Sequence, residues 1–336
     1  MTWGPLVEPC PPAARAEALQ VLYQRIPPAI RAKLVDEVLR EAESGQVDLA
    51  GLWAAWERPW GLSAARAHAP AQGVDPPSAP RGRIVGAFLT QALAGRAAAV
   101  WAPEVLPSLR RTATAAALVR TALADLRRRG FRVIQAVLDE SAQGRGAGDL
   151  IRGGMPRVTE LVYLERDTRI PLADPPPPRL AWRSFDPEQP DTFCRLLQAT
   201  YIASLDMPEL DGIRSLQEVI EGHRATGRFV PSRWRIGQVE GEPEAAALLL
   251  LADIPDREVW EVVYLGLTPP ARGRGLGRAA IAQALELAAP HAPRLELAVD
   301  LRNTPATRLY ASTGFVPFDR RSVHLVVFPP GAGGPP

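Results

Sequence analysis

Residues 259–267 carry apolar side chains on both sides of an extended chain, with Trp260, Val262 and Tyr264 on one face and Val263, Leu265 and Leu267 on the other. Such a run predicts a central strand, buried on both faces. Thr268-Pro269-Pro270 breaks it. From Leu276 to about Ala289 the period becomes helical, with Leu276, Ala280, Ala284, Leu287 and Ala288 on one stripe. Leu295–Asp300 reads as the next strand. Thr304 can cap a short helix, Pro305 suits its first turn and Gly314 its C-terminal stop. Asn303, Ala306 and Tyr310 then fall on one face, and a strand over 323–328 follows. Upstream, 180–185, 234–239 and 246–253 read as strands, and 192–202 and 216–226 as helices.

Asp174 and the four prolines after it fit neither a helix nor a central strand, and predict an extended spacer. The chain therefore divides into residues 1–170, a linker at 171–178, residues 179–330, and a Gly/Pro tail at 331–336 expected to be disordered. The first half repeats the second in worn form. Gly154-Met155 matches Gly314-Phe315 at an offset of 160 residues. The same offset lays Leu297–Asp300 on Val137–Glu140 and 257–267 on 97–107, and sets a helix at 113–129 opposite the one after the glycine-rich turn. Tandem copies of one fold are expected, with a Pro- and Ala-rich insertion around Ser63–Arg81 in the first. Glu261, Gly275, Gly277 and Tyr310 meet Trp101, Ala115, Ala117 and Leu150 at that offset. Chemistry carried by those four residues belongs to the second copy.

Composition narrows the class. At 336 residues each copy can bury its own core. A net charge of +2 argues for neither a nucleic-acid coat nor a membrane-surface protein. Lys33 is the only lysine, so arginine runs such as 127–129 read as solvated helix ends. Cys10 and Cys194 suggest no disulfide framework, and His68, His223, His291 and His324 form no sequence-local metal motif. There is no basic-then-apolar leader, and the longest apolar run, 245–252, is too short to span a bilayer. The expectation is a cytoplasmic protein with no metal, nucleic-acid or membrane partner.

Glycines at 273, 275 and 277, between strand and helix, let the backbone approach a ligand and turn its N–H groups towards it. The helix N-terminus and Arg272, Arg274 and Arg278 add positive charge. Together they read as a pyrophosphate cradle, the rival being a merely flexible turn. No Lys-Ser/Thr follows, as a nucleotide-hydrolase loop requires, and the glycines do not fit a dinucleotide fold. The spacing Arg272-x-x-Gly275-x-Gly277 resembles the acetyl-CoA loop of the GNAT acetyltransferases. Asn303-x-x-Ala306-x-x-x-Tyr310-x-x-x-Gly314-Phe315 is similar to their following segment. The resemblance implies an α/β (α+β) fold of two tandem GNAT-like domains, each a mixed, mostly antiparallel sheet flanked by helices. It implies acetyl-CoA as co-substrate, held by Leu265, Gly266, Leu267, Arg272, Gly273, Arg274, Gly275, Leu276, Gly277, Arg278 and Asn303. A bulge near Leu265 would free a backbone N–H for the thioester oxygen. Tyr310 would stand beside the coenzyme sulfur as general acid.

Glu261 is a carboxylate on an otherwise apolar strand and needs a reason to be there. It stands fourteen residues before Gly275, as does the general base in the histone-acetyltransferase and mycothiol-synthase branches of that superfamily. The alternatives are a frayed edge or an ion pair with an arginine of the other copy. The tandem arrangement resembles the mycothiol-synthase branch, whose N-terminal copy is also degenerate. It implies an N-acetyltransferase acting by direct attack of a small-molecule primary amine, in a monomer with two pseudo-symmetric halves. The acidic segment 201–211, with Tyr201, Asp206 and Asp211, suits a cationic acceptor, and a solvated loop explains its charges as well. A protein or peptide N-acetyltransferase and a non-catalytic acetyl-CoA-binding module remain as other classes.

Overall fold

The computed structural model describes residues 4–57, 82–139, 144–173 and 180–330. The insertion around Ser63–Arg81, the four prolines and the tail at 331–336 lie outside the described residues. The chain forms two compact units, one of Met1–Ala92, Ala98–Arg157 and His324–Val326, the other of Leu93–Ala97, Val158–Val323 and Val327–Pro336.

The first unit contains β1 (Leu6–Pro9), α1 (Arg15–Leu22), α2 (Pro28–Glu43), β2 (Leu52–Trp56), β3 (Ile84–Leu93), β4 (Ala97–Val100), β5 (Glu104–Val105), α3 (Arg111–Arg128), β6 (Val133–Leu138) and α4 (Arg145–Arg152). Its strands run in the order β1-β2-β3-β4-β6, with β5 on β3. Leu19, Val35, Leu52 and Ile84 pack together in its core. Helix α3 begins at Arg111, so Ala115 and Ala117 lie inside it. The first unit thus has a continuous helix where the second has a glycine-rich loop.

The second unit contains β7 (Arg157–Asp167, all but its first residue), β8 (Leu180–Ser184), α5 (Asp191–Tyr201), α6 (Leu216–Arg224), β9 (Trp234–Val239), β10 (Ala245–Ile254), β11 (Val259–Leu267), α7 (Leu276–Ala288), β12 (Arg294–Asp300), α8 (Thr304–Ser312) and β13 (Val316–Val327, of which His324–Val326 group with the first unit). Its strand order is β13-β7-β12-β11-β10-β9-β8. Strands β8 to β11 pair antiparallel, β11 and β12 parallel, and β12 and β7 antiparallel. Side chains alternate across β10: Leu249 and Leu251 pack with Ile281 and Leu285 of α7, Leu248 and Leu250 with Phe193 and Leu197 of α5 and Ile220 of α6. Helices therefore cover both faces.

Three features depart from the pattern expected of the sequence. Leu250 faces Tyr264 while Leu251 faces Val262, so Val263 is the extra residue of a β-bulge. The bulge resets the alternation: Trp260 and Val262 face α7, Val263 and Tyr264 both turn towards α5 and α6, and Leu265 returns to the α7 side. Tyr264 thus does not share the face of Trp260 and Val262. Strand β13 starts at Val316, hidden in the sequence by Pro317 and the polar run Asp319-Arg320-Arg321. Finally, the strand beside β12 is β7, which precedes the prolines, with Leu161–Asp167 opposite Arg294–Asp300. Its Val162 and Leu164 belong to the second unit's core.

Candidate active site

Strands β11 and β12 pair only through Val259, Trp260 and Glu261 against Arg294, Leu295 and Glu296. Beyond that point their ladder ends, although β11 runs on to Leu267 and β12 to Asp300. Two strands that part after three rungs leave a wedge between them, and the bulge at Val263 lies just inside it.

Glu261 occupies the closed end of that wedge. Its side chain is 27% exposed, and its Oε2 accepts a hydrogen bond from Arg257 Nη2 at 3.2 Å. Arg257 Nη1 also donates to Glu296 Oε2 at 2.6 Å. The arginine partner thus comes from the turn leading into the same strand. Burial raises the Glu261 carboxyl above the usual range, Arg257 opposes the rise and Glu296 adds to it. A carboxylate so placed has gained proton affinity while keeping contact with solvent.

Tyr310 lies on α8, 7% exposed, its ring edge-on to Phe315 at 5.7 Å. Among the described residues its hydroxyl has no hydrogen-bond partner. Burial pushes its pKa upward, helped by Asp206 and Tyr264, so the phenol stays protonated through the physiological range. A buried tyrosine hydroxyl usually finds a partner; here that place is open to a ligand.

Tyr264, just past the bulge, is clamped. Thr200 Oγ1 donates to Leu197 O at 2.7 Å, so the Tyr264 hydroxyl donates to Thr200 Oγ1 at 2.9 Å. The Tyr201 and His223 rings each lie 5.4 Å from the Tyr264 ring. A Cβ at Gly266 would fall 2.6 Å from the Tyr264 hydroxyl and 2.8 Å from Thr200 Cβ, so glycine permits this close approach. Removing one such hydrogen bond costs about 1 kcal/mol. Tyr264→Phe is expected to lower unfolding stability by that order in a urea titration, because Thr200 keeps its bond to Leu197. His223 Nε2 sits 3.2 Å from the Tyr201 hydroxyl. Burial, with Arg214 nearby, lowers the His223 pKa to about 4, which leaves the ring neutral at pH 7.

In the glycine-rich loop Gly273 and Gly275 have φ of 73° and 82°, a left-handed backbone that glycine adopts freely. Nothing lies within 4 Å of where a Cβ would be at either. Among the described residues, the backbone N–H groups of 273–277 have no protein acceptor. These are donors at a helix N-terminus, where partial positive charge accumulates. The arginine side chains are occupied otherwise. Arg274 Nη2 pairs with Glu242 Oε1 at 2.5 Å. Arg278 donates to Ser312 O at 3.0 Å and to Ala173 O. Arg272 donates to four backbone carbonyls: Leu267, Thr200, Ile202 and Ala203. The cradle is therefore made of backbone. Gly277 serves packing, since a Cβ there would stand 2.8 Å from Leu309 Cδ2 of α8. Leu276 is buried with Val239, Ala246 and Ala271 and anchors the helix start. Asn303, rather than Thr304, caps α8, its side chain accepting from Ala306 N at 3.2 Å.

Two carboxylates of the acidic segment, Asp206 and Glu209, already have partners within the protein. Asp206 is held by the Asp300 N–H at 3.2 Å, and burial raises its pKa. Glu209 forms a two-pronged pair with Arg302 at 2.6 and 2.9 Å. Asp206 and Asp211, the acidic residues singled out there, are both exposed as whole residues, and Glu209 is half-buried. Asp300 is fully buried and accepts from Thr159 Oγ1, Arg302 and Met207 N. Ala203 and Met207 carry φ of 52° and 46°, a conformation that costs a residue with a Cβ about 1–2 kcal/mol. Pattern reasoning did not single out Thr200, Tyr264, Arg257, Asp300 or Arg302 for these contacts. Except for Thr200 with Leu197, Arg257 with Glu261 and Asp300 with Arg302, their partners lie about 40 to 140 residues away in the chain.

Among the described residues no group of His, Cys, Asp and Glu could hold a metal ion, and no helix is long and apolar enough to cross a membrane. Residues 196–315 match the model of the Acetyltransferase (GNAT) family. Mycothiol acetyltransferase of Beutenbergia cavernae is 34% identical over 51% of this chain and 60% of its own length. Those of Kineococcus radiotolerans and Thermobispora bispora are 33% and 30% identical, over 49% and 55% of this chain and 52% and 67% of their own lengths. The alignments with the first two span between half and two thirds of those relatives. A GCN5-related N-acetyltransferase from Sphaerobacter thermophilus shares the fold, with a TM-score of 0.53 at 16% identity, covering 97% of this chain and 96% of that one. The chain belongs to the GNAT acetyltransferase family, whose members use acetyl-CoA.

Proposed function

We propose that this chain transfers an acetyl group from acetyl-CoA to the primary amine of a small molecule by direct attack, with the second unit as the catalytic copy. The observation that carries the proposal is a set of groups left open to a ligand in one unit. These are the unclaimed N–H groups of 273–277, the unpartnered Tyr310 hydroxyl and the Glu261 carboxylate at the closed end of the wedge. The name of the relatives, mycothiol acetyltransferase, supports a small-molecule acceptor.

Acetyl-CoA supplies the activated acetyl group as a thioester. The N–H groups of 273–277 fit its pyrophosphate, and a backbone group freed by the Val263 bulge fits the thioester oxygen. For a lysine-like amine, deprotonation at pH 7 costs roughly 4–5 kcal/mol, and for an α-amine about 1. Glu261, directly or through water, takes that proton. The amine nitrogen then bonds to the carbonyl carbon and the carbon–sulfur bond breaks. The Tyr310 hydroxyl donates to the departing sulfur, and the second proton shed by the nitrogen as it becomes the amide returns through solvent to Tyr310. Arg257 keeps Glu261 oriented while burial keeps it basic.

A panel of small primary amines, assayed for thiol release from acetyl-CoA and by mass spectrometry for the N-acetyl product, tests this. At least one amine is expected to give both signals in equal amounts. Coenzyme binding without thiol release for any amine would favour the non-catalytic binding module.

A further inference from the structure

Helix α5 ends without the glycine or asparagine that commonly closes a helix. Its last carbonyls need donors, and the chain leaves through Ala203 in a left-handed conformation. The donors come from 70 residues away. Arg272 Nη2 reaches Thr200 O at 3.0 Å and Ile202 O at 2.8 Å, Nη1 reaches Ala203 O at 3.0 Å, and Nε reaches Leu267 O at 3.2 Å. One guanidinium thus ties the end of α5 to the end of β11. The segment beyond is tied a second time, on the β12 side. Met207, also left-handed, donates its N–H to Asp300 Oδ2 at 3.3 Å, and Glu209 pairs with Arg302. Residues 202–211 therefore run from an anchor at the end of β11 to an anchor at the end of β12, the two strands that diverge after Glu261.

We infer that Arg272 is a positioning residue for the acceptor side of the site: it holds the strap 202–211 in its strained form, while the coenzyme pyrophosphate is bound by backbone N–H groups alone. This rests on the acetyltransferase reading above and assigns the loop's first arginine away from the phosphate. All three guanidinium nitrogens are committed to carbonyls. Turning the side chain to a phosphate would strip four acceptors at once. The cradle N–H groups need no such rearrangement.

Arg272→Met keeps the apolar stem and removes the donors, and Arg272→Lys restores one charged donor. Acetyl-CoA affinity by calorimetry and amide hydrogen exchange across 200–211 are read for both, beside Gly275→Glu as the reciprocal control. Arg272→Met is expected to leave the dissociation constant within about twofold and to speed exchange in 200–211 by about tenfold or more, with partial recovery in Arg272→Lys. Gly275→Glu is expected to do the reverse. With the amine that wild type acetylates fastest, Arg272→Met is expected to raise KM for the amine more than it lowers kcat. A tenfold or larger loss of coenzyme affinity in Arg272→Met, or unchanged exchange in the strap, would overturn the inference. Equal melting temperatures for Arg272→Lys and wild type separate these outcomes from general unfolding. Failure of wild type to acetylate any amine would count against the proposed function instead, since exchange and coenzyme affinity judge Arg272 without an acceptor.

Discussion

Glu261→Gln is expected to lower kcat by about 10²–10⁴-fold while leaving acetyl-CoA affinity unchanged. The amide keeps the shape of the side chain and its place beside Arg257, but accepts no proton. The defect should shrink as pH rises, because the acceptor amine then loses its proton to water. In wild type, kcat/KM should fall on the acid side with an apparent pKa above the ordinary carboxylate range. That sign follows from burial, which raises the Glu261 pKa, so the base becomes protonated at a higher pH than a free carboxylate would. Arg257→Met should move this limb further up, since Arg257 lowers the Glu261 pKa. Tyr310→Phe behaves differently. Its defect should stay constant as pH rises, because burial keeps the hydroxyl protonated across the range in which the amine titrates. Its melting temperature should barely change, as the hydroxyl has no protein partner among the described residues to lose. pH–rate profiles of the variants check all three. A flat, pH-independent loss in Glu261→Gln would reduce Glu261 to positioning the acceptor, and a Tyr310→Phe defect that shrinks as pH rises would remove Tyr310 from protonating the leaving sulfur. Unchanged turnover in both would make His223 the next residue to test.

Gly275→Glu is expected to abolish acetyl-CoA binding, a loss of about 100-fold or more, with the fold retained. Space is not the obstacle, since nothing lies within 4 Å of a Cβ at this position. The left-handed φ of 82° imposes about 1–2 kcal/mol of strain on any side chain. Gly275→Ala therefore reports the strain alone and should weaken binding far less. The glutamate adds a negative charge among the N–H groups that the pyrophosphate would use. Calorimetry on the two variants separates strain from charge, and unchanged affinity in Gly275→Glu would remove the loop from the coenzyme site.

The glycine-rich loop was legible because left-handed backbone at 273 and 275 demands a residue type that the sequence shows directly. Helical spacing made Asn303, Ala306 and Tyr310 readable as one face, and the apolar strand made Glu261 conspicuous. What the sequence hid was long-range. The resemblance implied a bulge near Leu265, but the apolar run 262–267 does not mark where it falls. It lies at Val263, and strict alternation therefore carried Tyr264 onto the wrong face. Nothing near Arg272 signals that its donors serve carbonyls of α5. Asp206 and Glu209 read as loop charges because their partners, the Asp300 backbone and Arg302, lie almost a hundred residues on. Strand β7 follows the same logic: order along the chain does not give order in the sheet.

The central claim is that the second unit alone carries an acetyl-CoA site, because the first has helix α3 where the second has its open loop. Calorimetric titration of the intact wild-type chain with acetyl-CoA tests it most directly. One tight site per chain is predicted; two sites of similar affinity would contradict the account.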